Sequence, residues 1–385
     1  MGLVLRFSIL EPIGINYRFL THAHSHGAML GWVYLMLYTF FVYYFIPDKK
    51  PIYIRLFWLT QISVVGMMLS FPFQGYAAIS ISFSTLHIFC SYCFAFLIWK
   101  HHKTQSLATK KLLKASLIFM VLSTIGVWCL GPAVTMLGQA SAFYQIAIQF
   151  FLHFQFNGWF LIAVTALFFH LLKIKDSKLF RTYFWLLISS TLLTLALPIQ
   201  WFAPHKILLA VNGFGVIIQA VMFYLFILII NPKRLNVINK TSKPQFYLYS
   251  FALICFALKI FFQLMSILPK FSEVIYSNRN FVIGFIHLLM LGAISGFLLA
   301  FILKGGLVTY SKTLYIGIYT FLLGFVTTEI LLLIQGVKFY FGSGMLSNYY
   351  LLLFISSILL PLGIGFLIHN ILKRKNYATK TPKTT

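Results

Sequence analysis

The chain has 385 residues, of which 60% are hydrophobic and only 9% are charged, and its mean hydropathy is +0.90. A water-soluble domain covers its core with more polar residues, so the composition excludes that class and predicts an all-α polytopic membrane protein. The formal charge of +25 raises the question of a nucleic-acid partner, which the positions of the basic residues answer.

Apolar stretches of about 20 residues, the length of a bilayer-crossing helix, predict eleven membrane spans. In chain order they lie at 24–46, 53–74, 77–100, 112–137, 142–172, 180–202, 206–230, 246–268, 279–304, 310–336 and 347–372. Residues 1–23 form an extracytoplasmic N-terminal segment in this scheme, 24–372 form one transmembrane domain, and 373–385 form a cytoplasmic basic tail.

The basic residues concentrate at the ends of odd-numbered spans. Examples are Lys49, Lys50 and Arg55 after span one, Lys173, Lys175, Lys178 and Arg181 after span five, and Lys373, Arg374 and Lys375 after the last span. By the positive-inside rule, this pattern predicts an external N-terminus and a cytoplasmic C-terminus in the inner (plasma) membrane. The basicity therefore marks a membrane surface, with lipid as a partner and no nucleic acid.

Seven of the histidines begin or lie within odd-numbered spans, in the outer half of the membrane under this orientation. They are His22, His24, His26, His87, His153, His205 and His287. Polar groups at such depth are costly unless paired and usually mark a site inside the bundle. A hydrogen bond to a neighbouring helix is the alternative for any single ring.

A histidine stands five residues before a glycine in spans one, five and nine. The segments are HGAMLGW at 26–32, HFQFNGW at 153–159 and HLLMLGA at 287–293. Recurrence every fourth span predicts a helical unit used three times.

These segments resemble the haem-copper oxidase superfamily, specifically subunit I of its short C-type cytochrome oxidase and nitric oxide reductase relatives. The resemblance implies three four-helix units with the first helix missing, so that spans one, five and nine match the family's metal-ligating helices. It implies that His24 or His26, together with His287, holds a haem of the b type, and that His153 matches a copper-ligand position. His26 is preferred over His24 because it belongs to the repeat.

Span six, however, has no adjacent histidine pair to complete a copper site, and span nine has one histidine instead of two. The expected function is therefore electron transfer or binding of a diatomic gas (NO or O2), without a full binuclear centre. An oxidoreductase activity, bound copper, and a redox partner or second subunit all stay open.

Other polar residues give further candidates. His87, Cys90 and Cys93 form H-x-x-C-x-x-C, three potential soft-metal ligands, although packing of the thiols beside a bonded histidine is the favoured account. His22 is a third candidate metal ligand. Glu329 and Lys259 are expected to form an ion pair or a proton relay if they meet, and His205 either closes the site or caps span seven.

Two other functional classes compete with the haem protein. One is an NnrS-like haem or metal protein of nitric oxide stress, which also carries paired histidines near its first spans. The other is a membrane transporter whose histidines line a path for a metal or another solute.

Overall fold

In a computed structural model, residues 1–380 are described, with side chains omitted at 233–240 and 374–380. All regular structure in that part of the chain is helical. The helices are α1 (Gly2–Leu10), α2 (Tyr17–Phe45), α3 (Pro51–Gln74), α4 (Ala78–His101), α5 (Leu107–Met136), α6 (Ala142–Leu171), α7 (Lys178–Gln200), α8 (Lys206–Lys240), α9 (Lys243–Met265), α10 (Pro269–Ser277), α11 (Arg279–Lys304), α12 (Lys312–Tyr340) and α13 (Tyr349–Lys380).

Eleven of these helices, all except α1 and α10, are long and apolar enough to cross a membrane. The predicted eleven-span, all-α architecture is therefore confirmed. Helices dominate because lipid offers no hydrogen-bond partner to the backbone, which must satisfy its own N–H and C=O groups. The basic tail predicted at 373–385 is helical as far as Lys380, and 381–385 lie outside the described residues.

The first span starts earlier than its hydropathy predicts. The Asn16 side chain accepts hydrogen bonds from the backbone N–H groups of Arg18 and Phe19, and this cap starts α2 at Tyr17. His22, His24 and His26 therefore lie inside a continuous helix, which fixes the direction of each ring.

Helices α2, α6 and α11 form the centre of the bundle. In its most apolar 18-residue stretch, α11 has 83% of its residues buried, α6 has 78% and α2 has 56%, whereas no other span exceeds 39%. These are spans one, five and nine, the same three that carry the repeated motif. The remaining spans surround them and expose more of their surface.

Each central helix contains a π-helical segment directly after its repeat histidine. The segments are Gly27–Tyr34, Phe154–Phe160 and Leu288–Ile294. A π-helical turn adds a residue to the helical repeat, rotates the side chains that follow it, and often lies at a functional site. The recurrence of this irregularity at matched positions gives the threefold repeat a structural counterpart.

The repeat glycines lie within these segments and allow close packing. A Cβ atom added to Gly158 would lie 2.7 Å from Cβ of Phe119, and one added to Gly292 would lie 2.8 Å from Sγ of Cys255. A Cβ atom on Gly31 would lie 3.0 Å from Val64. The glycine in each motif is thus explained by helix contact, since a methyl group does not fit at the first two positions without movement.

Candidate functional site

His24 of α2 and His287 of α11 lie on two central helices that contact each other. Each ring lies within the electrostatic range of the other. His24 makes no hydrogen bond within the described part of the chain, and neither does Nε2 of His287. Two rings on separate central helices therefore keep nitrogen atoms available for a ligand.

One residue about a turn beyond each ring is accessible. Ala28, four residues after His24, is exposed, and Leu291, four residues after His287, is the one partly exposed residue between Leu288 and Leu303. Among residues 279–287, the first half of the α11 span, none is fully buried. We call the space between these two helices the α2–α11 slot, bounded by His24, Ala28, His287 and Leu291.

A hydrogen bond closes the slot on the side of the buried core. Trp32 Nε1 donates to Ser295 Oγ across 2.8 Å, and Ser295 Oγ donates to the Met290 carbonyl oxygen at 2.8 Å. Trp32 and Ser295 each lie four residues beyond Ala28 and Leu291, so the bond falls on the same faces of the two helices. This hydrogen bond thus joins α2 and α11 on the core side of the slot.

Glu329 of α12 orients His287. Its Oε1 atom lies 3.5 Å from Nδ1 of His287, and the two side chains are only 18% and 25% exposed. The two atoms form no hydrogen bond at this distance. A carboxylate on this side of the ring nevertheless attracts a hydrogen on Nδ1, which leaves the lone pair on Nε2. His287 therefore presents Nε2 as a possible metal ligand.

Helix α1 covers the slot from the N-terminal end of the bundle. A Cβ atom built on Gly2 would lie 3.2 Å from Cε1 of His24, and the Phe7 and Phe354 rings are 5.7 Å apart. Arg6 lies within electrostatic range of Glu329 and Tyr349. Sequence reasoning missed α1 because nine residues are too few to register as a span, although Arg6 in an apolar stretch was a usable signal.

His26 and His22 turn away from His287, toward α3. His26 Nδ1 lies 2.9 Å from the His22 carbonyl oxygen and therefore donates to it, and His26 Nε2 lies 3.4 Å from Tyr76 Oη. The His22 ring contacts the ring of Tyr76 at 4.7 Å. Both nitrogens of His26 have partners within α2 and at Tyr76, whereas His24 forms no hydrogen bond in the described part of the chain.

His153 and His87 lie in other parts of the bundle. His153 Nε2 is 2.8 Å from the Thr191 carbonyl oxygen, so that nitrogen carries a hydrogen and is not free to bind copper. His87 packs edge-on against Tyr34 at 4.7 Å, and its Nε2 is buried without a hydrogen-bond partner within residues 1–380. Neither ring makes a hydrogen bond or ring contact with His24, Ala28, His287 or Leu291 in the described part of the chain.

The remaining candidate residues lie in different places and form no common site. Cys90 is buried whereas Cys93 is exposed on the outside of α4, so H-x-x-C-x-x-C does not point to one site. Glu329 faces His287, and the fully buried Lys259 has no hydrogen-bond partner in the described part, so the expected Glu329–Lys259 pair is not formed. His205 Nδ1 accepts from the Ile207 N–H at 3.2 Å and caps α8.

No group of three or more His, Cys, Asp or Glu side chains that would hold a metal ion occurs among the described residues. A directly bound zinc or copper ion generally needs three or four protein ligands. A haem brings four nitrogens of its own and needs only one or two. The paired rings of His24 and His287 thus suit a haem better than a bare ion.

Comparison with known proteins does not assign the chain to a family. No family model matches the chain, and no curated protein is significantly similar to it.

Proposed function

We propose that this chain is an integral membrane haem protein that transfers electrons, with His24 and His287 as the two axial ligands of a b-type haem in the α2–α11 slot. The observation that carries the proposal is that these two rings, with available nitrogens, lie within electrostatic range of each other on contacting central helices. On this proposal the chain is a divergent relative of haem-copper oxidase subunit I.

The residues around the slot match the needs of a haem. The macrocycle would need a flat space between apolar side chains, and the small, exposed Ala28 and the partly exposed Leu291 are apolar residues one turn beyond the two rings. The Trp32–Ser295 bond limits the depth of the slot. Histidine ligands usually donate their second N–H to a carboxylate, which holds the ring and raises its basicity, and Glu329 is placed for this role.

Ligation by two imidazoles favours electron transfer over gas binding. A haem held by both His24 and His287 would supply reversible one-electron chemistry and would not bind O2 or NO while both rings hold it. The structure offers no second metal site beside the slot among the described residues. Reduction of oxygen at a binuclear centre is therefore not part of this proposal.

Cations near the mouth of the slot suit the haem propionates. Arg6 lies within electrostatic range of Glu329. Arg279, the first residue of α11, lies 5.7 Å from the centre of the Tyr17 ring. Guanidinium groups bind carboxylates in a bidentate manner. The distribution of basic residues places this mouth on the extracytoplasmic side, where we expect the redox partner or second subunit to dock.

An absorption spectrum of the purified protein tests the proposal. We expect a Soret band, sharp α and β bands after reduction, and close to one haem per chain. His24→Ala and His287→Ala should each abolish the six-coordinate low-spin spectrum, because each removes one axial ligand. His26→Ala is the matched control, since its ring lies two residues away and bonds elsewhere.

Chemical rescue separates ligation from folding. Imidazole added to His24→Gly should restore the low-spin spectrum, whereas a variant that merely misfolds should not respond. A purified, folded protein without iron, or a low-spin spectrum unchanged in both His24→Ala and His287→Ala, would remove the proposal. If the low-spin spectrum is retained in His24→Ala and lost in His26→Ala, the first-span ligand is His26 and not His24.

A further inference from the structure

A lateral cleft opens between α4 and α5 on the outside of the bundle. It has a volume of about 630 Å³, and its lining includes Tyr92, Phe96 and Trp99 of α4 with Ile118, Val121 and Trp128 of α5. Phe96 is 63% exposed and Ile118 is 54% exposed, so the cleft is open at the side. In a membrane-spanning bundle, such a side faces lipid.

Two lysines mark one end of the cleft. Lys114 Nζ lies 4.2 Å from the centre of the Trp99 ring, and Lys100 Nζ lies 5.7 Å from the centre of the Phe96 ring. Neither ammonium group forms an ion pair with a carboxylate within the described residues. Aromatic faces hold the two cations at the cleft and leave their charge uncompensated.

A saturated hydrogen-bond chain marks the other end. Trp128 Nε1 donates to Tyr92 Oη at 2.8 Å, and Thr124 Oγ1 donates to the Val121 carbonyl oxygen at 2.6 Å. The Tyr92 hydroxyl, 2.6 Å from Thr124 Oγ1, therefore donates to it. Every N–H and O–H in this chain is used, so none is left for the carbonyl group of a quinone.

The lining between the two ends is apolar and elongated. The residues of α5 that line the cleft run from Leu117 to Trp128, about 16 Å at the helical rise of 1.5 Å per residue. An apolar channel with cations at one end and no free donor at the other matches an amphiphile with an anionic head and a hydrocarbon tail. Basic pockets between membrane helices are known binding sites for anionic lipid headgroups.

We propose that the cleft binds an anionic phospholipid, with one acyl chain between α4 and α5 and the phosphate at Lys100 and Lys114. The inference is independent of the haem, since no residue of the α2–α11 slot takes part. Charge complementarity selects the headgroup, and the shape of the cleft selects the chain. With the orientation predicted from basic residues, this lipid belongs to the cytoplasmic leaflet.

Tryptophan quenching tests the lipid site, because Trp99 and Trp128 line the cleft. The full-length protein is placed in phosphatidylcholine, and a small fraction is replaced by dibrominated phosphatidylglycerol or dibrominated phosphatidylcholine. The difference between wild type and Trp99→Phe/Trp128→Phe isolates these two of the seven tryptophans. We expect half-maximal quenching at about a tenfold lower mole fraction of the anionic lipid than of the zwitterionic one.

Lysine variants show whether the two cations cause the preference. Lys100→Gln/Lys114→Gln should quench equally with both lipids, whereas Lys100→Arg/Lys114→Arg should retain the preference. Lys304→Gln/Lys312→Gln is the matched control, because it removes the same charge at the same end of the bundle, away from the cleft. Ala95→Phe, which fills the cleft, should also remove the preference while leaving the protein monodisperse.

Three results would overturn the proposal. They are equal quenching by both lipids in wild type, an unchanged preference in Lys100→Gln/Lys114→Gln, and a preference lost equally in the Lys304→Gln/Lys312→Gln control. Displacement of the brominated anionic lipid by an equimolar short-chain quinone would assign the cleft to a quinone instead, which also contradicts it.

Discussion

Glu329 contributes a carboxylate 3.5 Å from Nδ1 of His287, on the side of the ring opposite its free nitrogen. Glu329→Gln keeps the shape and removes the charge. We expect haem affinity to fall about 10- to 100-fold, as for other partners of metal-bound histidines. The midpoint potential should rise, because a carboxylate beside the ligand stabilises ferric more than ferrous iron.

Haemin titration and a potentiometric redox titration measure these two effects. Glu273→Gln serves as the control, since Glu273 is exposed on α10 and forms no ion pair with a histidine among the described residues. A potential that shifts equally in both variants would show that long-range charge, and not the contact with His287, is responsible.

The choice among the three N-terminal histidines shows the limit of sequence reasoning at this scale. His24 points opposite to His22 and His26 on any α-helix, so the sequence predicts that only one side of HAHSH addresses an iron. It does not show which side faces α11, because that depends on how the whole helix is rotated in the bundle. The contact of Glu329 with His287 is equally non-local, since the two residues lie on different helices.

At the scale of single helices, the π-helical segments join packing to function. Each begins directly after a repeat histidine and contains the repeat glycine. The H-x4-G spacing was visible in the sequence, but a π-helical turn has no reliable sequence signature and was not predicted. In each central helix, the more buried half begins directly after the repeat histidine.

Glycine substitutions test this coupling. Gly158→Ala should lower the free energy of unfolding by about 1–3 kcal/mol, because the added Cβ would lie 2.7 Å from Cβ of Phe119 in α5. Gly213→Ala is the matched control, since Gly213 lies in the α8 helix, does not precede a proline, and has no atom within 4 Å of an added Cβ. It should be neutral or stabilise by about 0.5–1 kcal/mol.

Thermal unfolding in detergent, followed by circular dichroism, measures both variants. Equal stability of Gly158→Ala and Gly213→Ala would show that α6 and α5 move apart without cost, which contradicts close packing at the repeat glycine.

At the scale of the whole molecule, hydropathy and composition are sufficient for the number and approximate bounds of the eleven spans, because the cost of exposing polar groups to lipid depends on local composition. Hydropathy and composition do not predict the short helices α1 and α10. Their positions depend on contacts such as Phe7 with Phe354, which link the two ends of the chain. The α2–α11 slot likewise depends on helices far apart in sequence.

The orientation of the bundle decides which compartment the mouth of the α2–α11 slot faces. In a background without the four native cysteines, Ser343→Cys places a thiol in the exposed loop between α12 and α13, at the same end as the mouth. Gln105→Cys places one in the loop between α4 and α5, at the opposite end. Both side chains are exposed, so differences in labelling report sidedness and not burial.

A membrane-impermeant maleimide applied to intact cells should label Ser343→Cys and leave Gln105→Cys unmodified until the cells are lysed. The physical reason is the excess of lysine and arginine at the Gln105 end, which is retained in the cytoplasm during insertion. The reverse labelling pattern would place His24 and His287 in the cytoplasmic half of the membrane. The electron partner of the proposed haem would then be a cytoplasmic one.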